Sequence, residues 1–166
     1  MTWDAIDALS SVIGTVAVVV SLVYLAIQVR NQNKESRLAA IHEISVAFRD
    51  SMTSLLNDDN ASLILKANAD VNSLNDNERL KVLVLAQRFL RVWEEAYFQY
   101  TSNRLDNRIW QNMVAQYLSL LGGPGMAYAW EMRKQFFDGE FRTFVDGLER
   151  SPYVIRPENS TPKAKE

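Results

Sequence analysis

Four charged residues crowd a stretch otherwise dominated by apolar ones: Arg88, Arg91, Glu94 and Glu95 in "LAQRFLRVWEEAYFQY". Two guanidiniums and two carboxylates on one helix support two kinds of chemistry. Enclosed, they form a buried charged cluster that could hold a polar ligand or fix register between helices or subunits, and an unpaired member would be costly. On the solvated edge of the helix they do neither. Arg91 and Glu95 stand four residues apart and can pair across one turn. The solvated edge is the reading we favour; in an enzyme, Glu94 or Glu95 would be the base.

No other grouping approaches catalysis. The single histidine, His42, stands beside Glu43 and lacks the glutamate three residues before it that a di-iron helical bundle uses. One histidine cannot build a Ser-His-Asp arrangement. "GGPG" (Gly122 to Gly125) lacks the lysine and the strand-to-helix setting of a phosphate loop. The chain has no cysteine, which removes disulfides, thiolate metal sites and a cysteine nucleophile. We therefore expect no catalytic residue, no metal, no cofactor and no enzymatic activity. Lys and Arg number 18 and Asp and Glu 20. With Asp4 and Asp7 set aside the body is neutral, so nucleic acid is not an expected partner.

The elements that position these residues begin with "VIGTVAVVVSLVYLAIQVRNQNK", Val12 to Lys34. From Ala8 to Val29 no residue carries a formal charge. A helix of that length extends roughly 33 Å, close to the hydrocarbon thickness of a bilayer. Its β-branched residues are mediocre helix formers in water, but in lipid the backbone has no other partner. Trp3 and Tyr24 lie toward the ends, where amphipathic rings favour the headgroup level. The competing reading is the buried core helix of a soluble bundle, and about six turns without a polar stripe argue against it. A mean hydropathy of -0.16 limits membrane character to this one segment.

Asp4 and Asp7 precede the span, and Arg30, Lys34 and Arg37 follow it. The positive-inside bias places the N-terminus outside and the rest in the cytoplasm. An acidic leader without a small-x-small site is not a cleavable signal peptide. Arg30, Lys34 and Arg37, with the amides around them, are expected to meet lipid headgroups or cap neighbouring subunits. Ser10, Gly14, Ala17 and Ser21 repeat at spacings of four, three and four, a small-residue face that lets helices approach in lipid.

Beyond Arg30 the pattern becomes amphipathic. Leu38, Ile41, Ile44, Phe48, Met52 and Leu55 form one stripe, so the helix is expected to run unbroken to about Asn57. A short helix follows near Leu63 to Ala69. The central helix is capped by Asn75 or Asp76 and is expected to be buried on most sides, Val84 included, with a narrow polar strip of Lys81, Arg88, Arg91, Glu95 and Gln99. "LDNRIWQNMVAQYLSLL" is a further helix, ended by "GGPG"; "MAYAWEMRKQFF" is the next, and Asp138 caps a last one. Tyr128, Trp130, Phe136, Phe137, Phe141 and Phe144 are read as core, not as a ligand pocket or headgroup contact. The tail from Ser151 holds three of the four prolines and reads as extended or disordered. No strand pattern occurs. The expected organisation is all-α: a short extracytoplasmic segment (1–7), a transmembrane helix (8–29), a cytoplasmic helical bundle (30–150) and a tail (151–166).

The opening "WDAI", the run "AVVVSLVYLAIQVRNQNK", the central "FLRVWEEAYFQY" and the late "EFRTFVDGL" resemble a widespread family of small bacterial single-pass membrane proteins. The resemblance covers nearly the whole chain and is most specific at the N-terminus. It implies one span of the bacterial inner membrane followed by a helical cytoplasmic domain, and it carries no activity. Where such chains tend to have Ser-Pro before the last helix, this one has Asp138-Gly139, which still supplies a cap.

Two functions follow. The first is a membrane-anchored interaction or scaffold protein whose partners are the bilayer and either further copies of itself or other membrane subunits. The second is a homo-oligomeric pore or sensor gated by the bundle, in which only Ser10, Ser11, Thr15, Ser21 and Gln28 could face water.

Overall fold

The structure is a computed structural model that describes the backbone of residues 3–150 and the side chains of residue 3 and residues 11–150. Six α-helices and no strand occur among the described residues. The chain divides into two compact units, residues 1–40 and 41–166.

Helix α1 runs from Trp3 to Thr53 without a break. No Gly or Pro after Gly14 interrupts it. In the first unit, every large apolar side chain from Val12 to Val29 is more than half exposed. This is the one helix long and apolar enough to cross a membrane among the described residues. Leu38, expected on the apolar stripe, is also exposed, and so is Met52 farther on. The stripe that packs into the second unit is narrower: Ile44 is buried, with Ile41, Ala47, Phe48 and Leu55 against the core.

α1 ends at Thr53, a turn earlier than the stripe suggests. The N–H groups of Ser54, Leu55 and Leu56 bond the carbonyls three residues back, tightening the chain into a turn. Asn57 then starts α2 (Asp58–Ala69) by accepting the Asp59 N–H at 2.9 Å, and two aspartates occupy the first turn, where the helix dipole favours anions. α2 thus begins five residues before Leu63. A single 3-10 turn, Val71–Ser73, leads to α3 (Asp76–Thr101).

A complete capping box starts α3. Asn75 accepts the Glu78 N–H, and the Glu78 carboxylate accepts the Asn75 N–H, both at 2.9 Å. Its buried face comprises Val82, Leu83, Ala86, Phe89, Leu90, Val92, Trp93, Glu94 and Ala96. Val84 is 58% exposed, against expectation. It lies between Lys81 and Arg88 at helical spacing, inside the polar strip itself.

α4 (Asn107–Leu121) is capped by Asp106 and buries Trp110, Val114, Tyr117 and Leu121. α5 (Pro124–Arg133) starts with proline at its first position, where the missing N–H costs nothing. The expected helix does not continue to Phe137; residues Lys134–Phe136 form a 3-10 turn. α6 (Gly139–Asp146) is capped by Asp138, whose carboxylate accepts the Glu140 and Phe141 N–H groups.

Trp93 sits at the centre of the second unit, fully buried. Its ring stacks on Tyr117 at 4.7 Å with the planes 4° apart, and Phe141 meets it edge-on at 5.5 Å. Aromatic pairs in these geometries add about 0.5–1.5 kcal/mol each beyond burial. Trp130, Phe137 and Phe141 are buried in the same core, whereas Phe136 is half exposed.

Candidate functional site

α3 carries the charged cluster, and the fold divides it. Glu94 is buried; Arg88 and Arg91 are exposed, and Glu95 is half-buried. Arg91 pairs with Glu94, three residues on, and not with Glu95: its Nη1 donates to Glu94 Oε2 at 2.5 Å. Its Nη2 donates to the Phe136 carbonyl at 2.9 Å, and its guanidinium lies 4.5 Å from the centre of the Phe137 ring. Glu94 Oε1 in turn accepts the Asp138 backbone N–H at 2.7 Å.

The reason is local. Phe137 and Phe141 are drawn into the core, which brings the junction between the 3-10 turn and α6 against α3. A helix start and a turn end both leave backbone groups without helical partners. Arg91 and Glu94 satisfy one of each with charge-assisted bonds. The Glu94 carboxylate is engaged on both oxygens, so its role is to fasten α6, not to act as a free base.

Arg88 and Glu95 form no ion pair among the described residues. Burial pushes the Glu95 carboxyl above its ordinary value, and the Glu43 carboxylate adds to the rise. The solvated edge, the favoured reading, describes Arg88 and Arg91 but not the buried Glu94, and the alternative enclosed cluster of four is reduced to the Arg91–Glu94 pair.

The small-residue face of α1 is open. A Cβ added to Gly14 would meet nothing within 4 Å, and Ala17 and Ser21 are exposed. Ser21 Oγ donates to the Ala17 carbonyl at 2.8 Å and Thr15 Oγ1 to the Ser11 carbonyl at 2.9 Å. Gln28 Nε2 approaches the Tyr24 hydroxyl at 3.4 Å. The side chains of Ser10, Asp4 and Asp7 lie outside the described residues, as does the tail 151–166. Arg30, Lys34 and Arg37 are exposed, with no ion pair among the described residues.

His42 and Glu43 are both exposed. No group of three or more His, Cys, Asp or Glu residues able to hold a metal ion occurs among the described residues. Three buried or half-buried polar links have no local signal in the sequence. Tyr117 Oη donates to the Phe89 carbonyl at 2.9 Å, Trp130 Nε1 to Asp146 at 2.7 Å, and the Gly125 N–H to Asn68 Oδ1 at 3.0 Å. The linked residues stand 28, 16 and 57 positions apart, beyond the reach of helical spacing, so no local pattern marks them.

No family model matches the chain, and no match is found among curated proteins or solved structures.

Proposed function

We propose that this is a membrane-anchored helical interaction protein of the bacterial inner membrane. Residues 8–29 of α1 cross the bilayer with the N-terminus outside, and the bundle acts in the cytoplasm as a docking surface. The span self-associates through the face bearing Ser10, Gly14, Ala17 and Ser21, or joins other membrane subunits as an accessory chain.

One observation carries this reading: the uncharged stretch is a continuous helix whose large apolar side chains, from Val12 to Val29, all stand exposed. A soluble chain rarely leaves so long an apolar surface uncovered. Thr15 and Ser21 return their hydroxyls to their own helix, which is how such residues are accommodated in lipid. That arrangement satisfies the O–H donors of Thr15 and Ser21 without water, as an anchor in lipid requires.

The test is the native mass of the chain after extraction in mild detergent, corrected for bound detergent. An integer multiple of 19.0 kDa above one, reduced to one when Gly14 and Ala17 are both replaced by leucine, supports self-association. Extra mass from co-purifying chains supports the accessory role. A monomer released from membranes by carbonate, without detergent, would sink the proposal.

A further inference from the structure

Immediately beyond the uncharged stretch, α1 carries Arg30, Lys34 and Arg37, all exposed. Spacings of four and three place them within about 60° of one another round the helix. They form no ion pair among the described residues. Their helical neighbours explain why: every residue three or four positions away is Ala, Ile, Leu, Asn or another of the three. Glu35, the one carboxylate between them, stands roughly 140° round from Arg30. The helix therefore holds two like-charge neighbours, Arg30–Lys34 and Lys34–Arg37, which destabilise it in water. A topology signal requires charge on one side of the membrane, not on one side of the helix.

On the anchor reading, on which this rests, depth identifies the anion that offsets the repulsion. With residues 8–29 in the hydrocarbon core, Arg30 lies at its edge. Lys34 and Arg37 follow about 6 Å and 10 Å farther along the axis. The headgroup layer is about 5–8 Å thick on each side. Helical side chains lean toward the N-terminus, which returns Lys34 and Arg37 toward that layer, and long basic stems reach along it. All three cationic groups thus stand at the level of lipid phosphate. A guanidinium takes a phosphate through two parallel hydrogen bonds. A zwitterionic headgroup brings its own ammonium to compete for that phosphate; an anionic one does not.

We infer that the face bearing Arg30, Lys34 and Arg37 binds the phosphodiester headgroup of an anionic lipid in preference to a zwitterionic one.

The experiment reconstitutes the full chain in phosphatidylcholine vesicles at fixed ionic strength. Phosphatidylglycerol and phosphatidylcholine, each spin-labelled on the acyl chain, are added in turn, and the motionally restricted fraction is read by electron paramagnetic resonance. Each basic residue near an anionic surface is worth roughly five-fold, so phosphatidylglycerol is expected to be preferred at least about five-fold. A rearranged variant combines Lys34→Gln, Gln32→Lys, Arg37→Ala and Ala39→Arg. Net charge and the topology signal are unchanged, but the moved cations stand three and four residues from Glu35 and can pair with it. Its preference is expected to fall to near parity. Equal restriction of both lipids by the natural chain, or an undiminished preference in the variant, would overturn the inference. So would loss of the preference to inorganic phosphate but not to chloride at the same ionic strength, which would assign the face to a soluble phosphate. A chain that restricts neither lipid has no span, and the anchor reading then falls with the inference.

Discussion

Glu94 and Asp138 stand 44 residues apart and are joined by one 2.7 Å hydrogen bond, from the Asp138 backbone N–H to a buried carboxylate oxygen. Together with Arg91 on the Phe136 carbonyl, this bond fastens the start of α6 to the central helix. Asp138 is also the residue that caps α6, so the clasp holds the cap itself.

Glu94→Ala is expected to destabilise the chain by about 2–4 kcal/mol, because it orphans the Asp138 N–H and leaves Arg91 without its carboxylate. Glu94→Gln retains an acceptor for Asp138 and is expected to lose less. Denaturant unfolding of both variants in the same detergent checks the order; equal losses would contradict the clasp.

Glu95 gives stability a pH dependence of defined sign. Burial, and then Glu43, raise its folded pKa above the ordinary value of 4.5, so the native state binds the proton more tightly than the unfolded chain. The contribution is complete below about 4.5 and is lost as pH rises through the raised value. Glu78 runs the other way. The Lys66 hydrogen bond, then the Asn75 N–H, lower its pKa, so its contribution is present above 4.5 and is lost as pH falls through the lowered value. Glu95→Gln is expected to flatten the pH–stability curve on the side above 4.5 and Glu78→Gln on the side below it. Both effects are small because both carboxylates keep contact with solvent. Melting temperatures from pH 3 to 8 test the signs.

Two glycines are expected to respond oppositely to alanine. At Gly125 the new Cβ would lie 2.8 Å from Ala67 Cβ and 3.1 Å from Asn68 Oδ1, forcing α2 and α5 apart at a cost of about 1–3 kcal/mol. At Gly139 the nearest atom is the end of the Arg142 side chain at 3.7 Å, and a gain of about 0.4–1 kcal/mol is expected from a stiffer unfolded chain. Thermal unfolding of the two variants, side by side, reads the difference.

Tyr117 is expected to resist ionisation. Its hydroxyl is buried and donates to the Phe89 carbonyl, and burial raises its pKa. In an alkaline titration followed at the phenolate absorbance, a spectral step that coincides with unfolding is expected from this ring. Tyr117→Phe should remove that step and cost about 1 kcal/mol.

Features that depend on neighbours in the chain were legible from sequence: the all-α class, a cap at Asn75 or Asp76 (Asn75 in the structure), the Asp138 cap, the long apolar helix and its continuation past Arg30. Features that depend on distant partners were not. Arg91 has glutamates both three and four residues on, and the choice of Glu94 is made by Asp138 and Phe136 across the core. The first turn of α5 is capped from Asn68, 57 residues earlier, beyond any spacing rule. Val84 was misplaced because apolar identity outweighed its position between Lys81 and Arg88 on the polar strip.

The central claim is that α1 crosses a membrane with its N-terminus outside. The chain contains no cysteine, so single cysteines can be introduced as unambiguous reporters at Thr2 and at Ser102. Intact cells and permeabilised cells are treated with a membrane-impermeant maleimide. The account predicts that Thr2→Cys is labelled in intact cells and Ser102→Cys only after permeabilisation. Protection of both sites in intact cells, with the chain washed from membranes by carbonate, would contradict it.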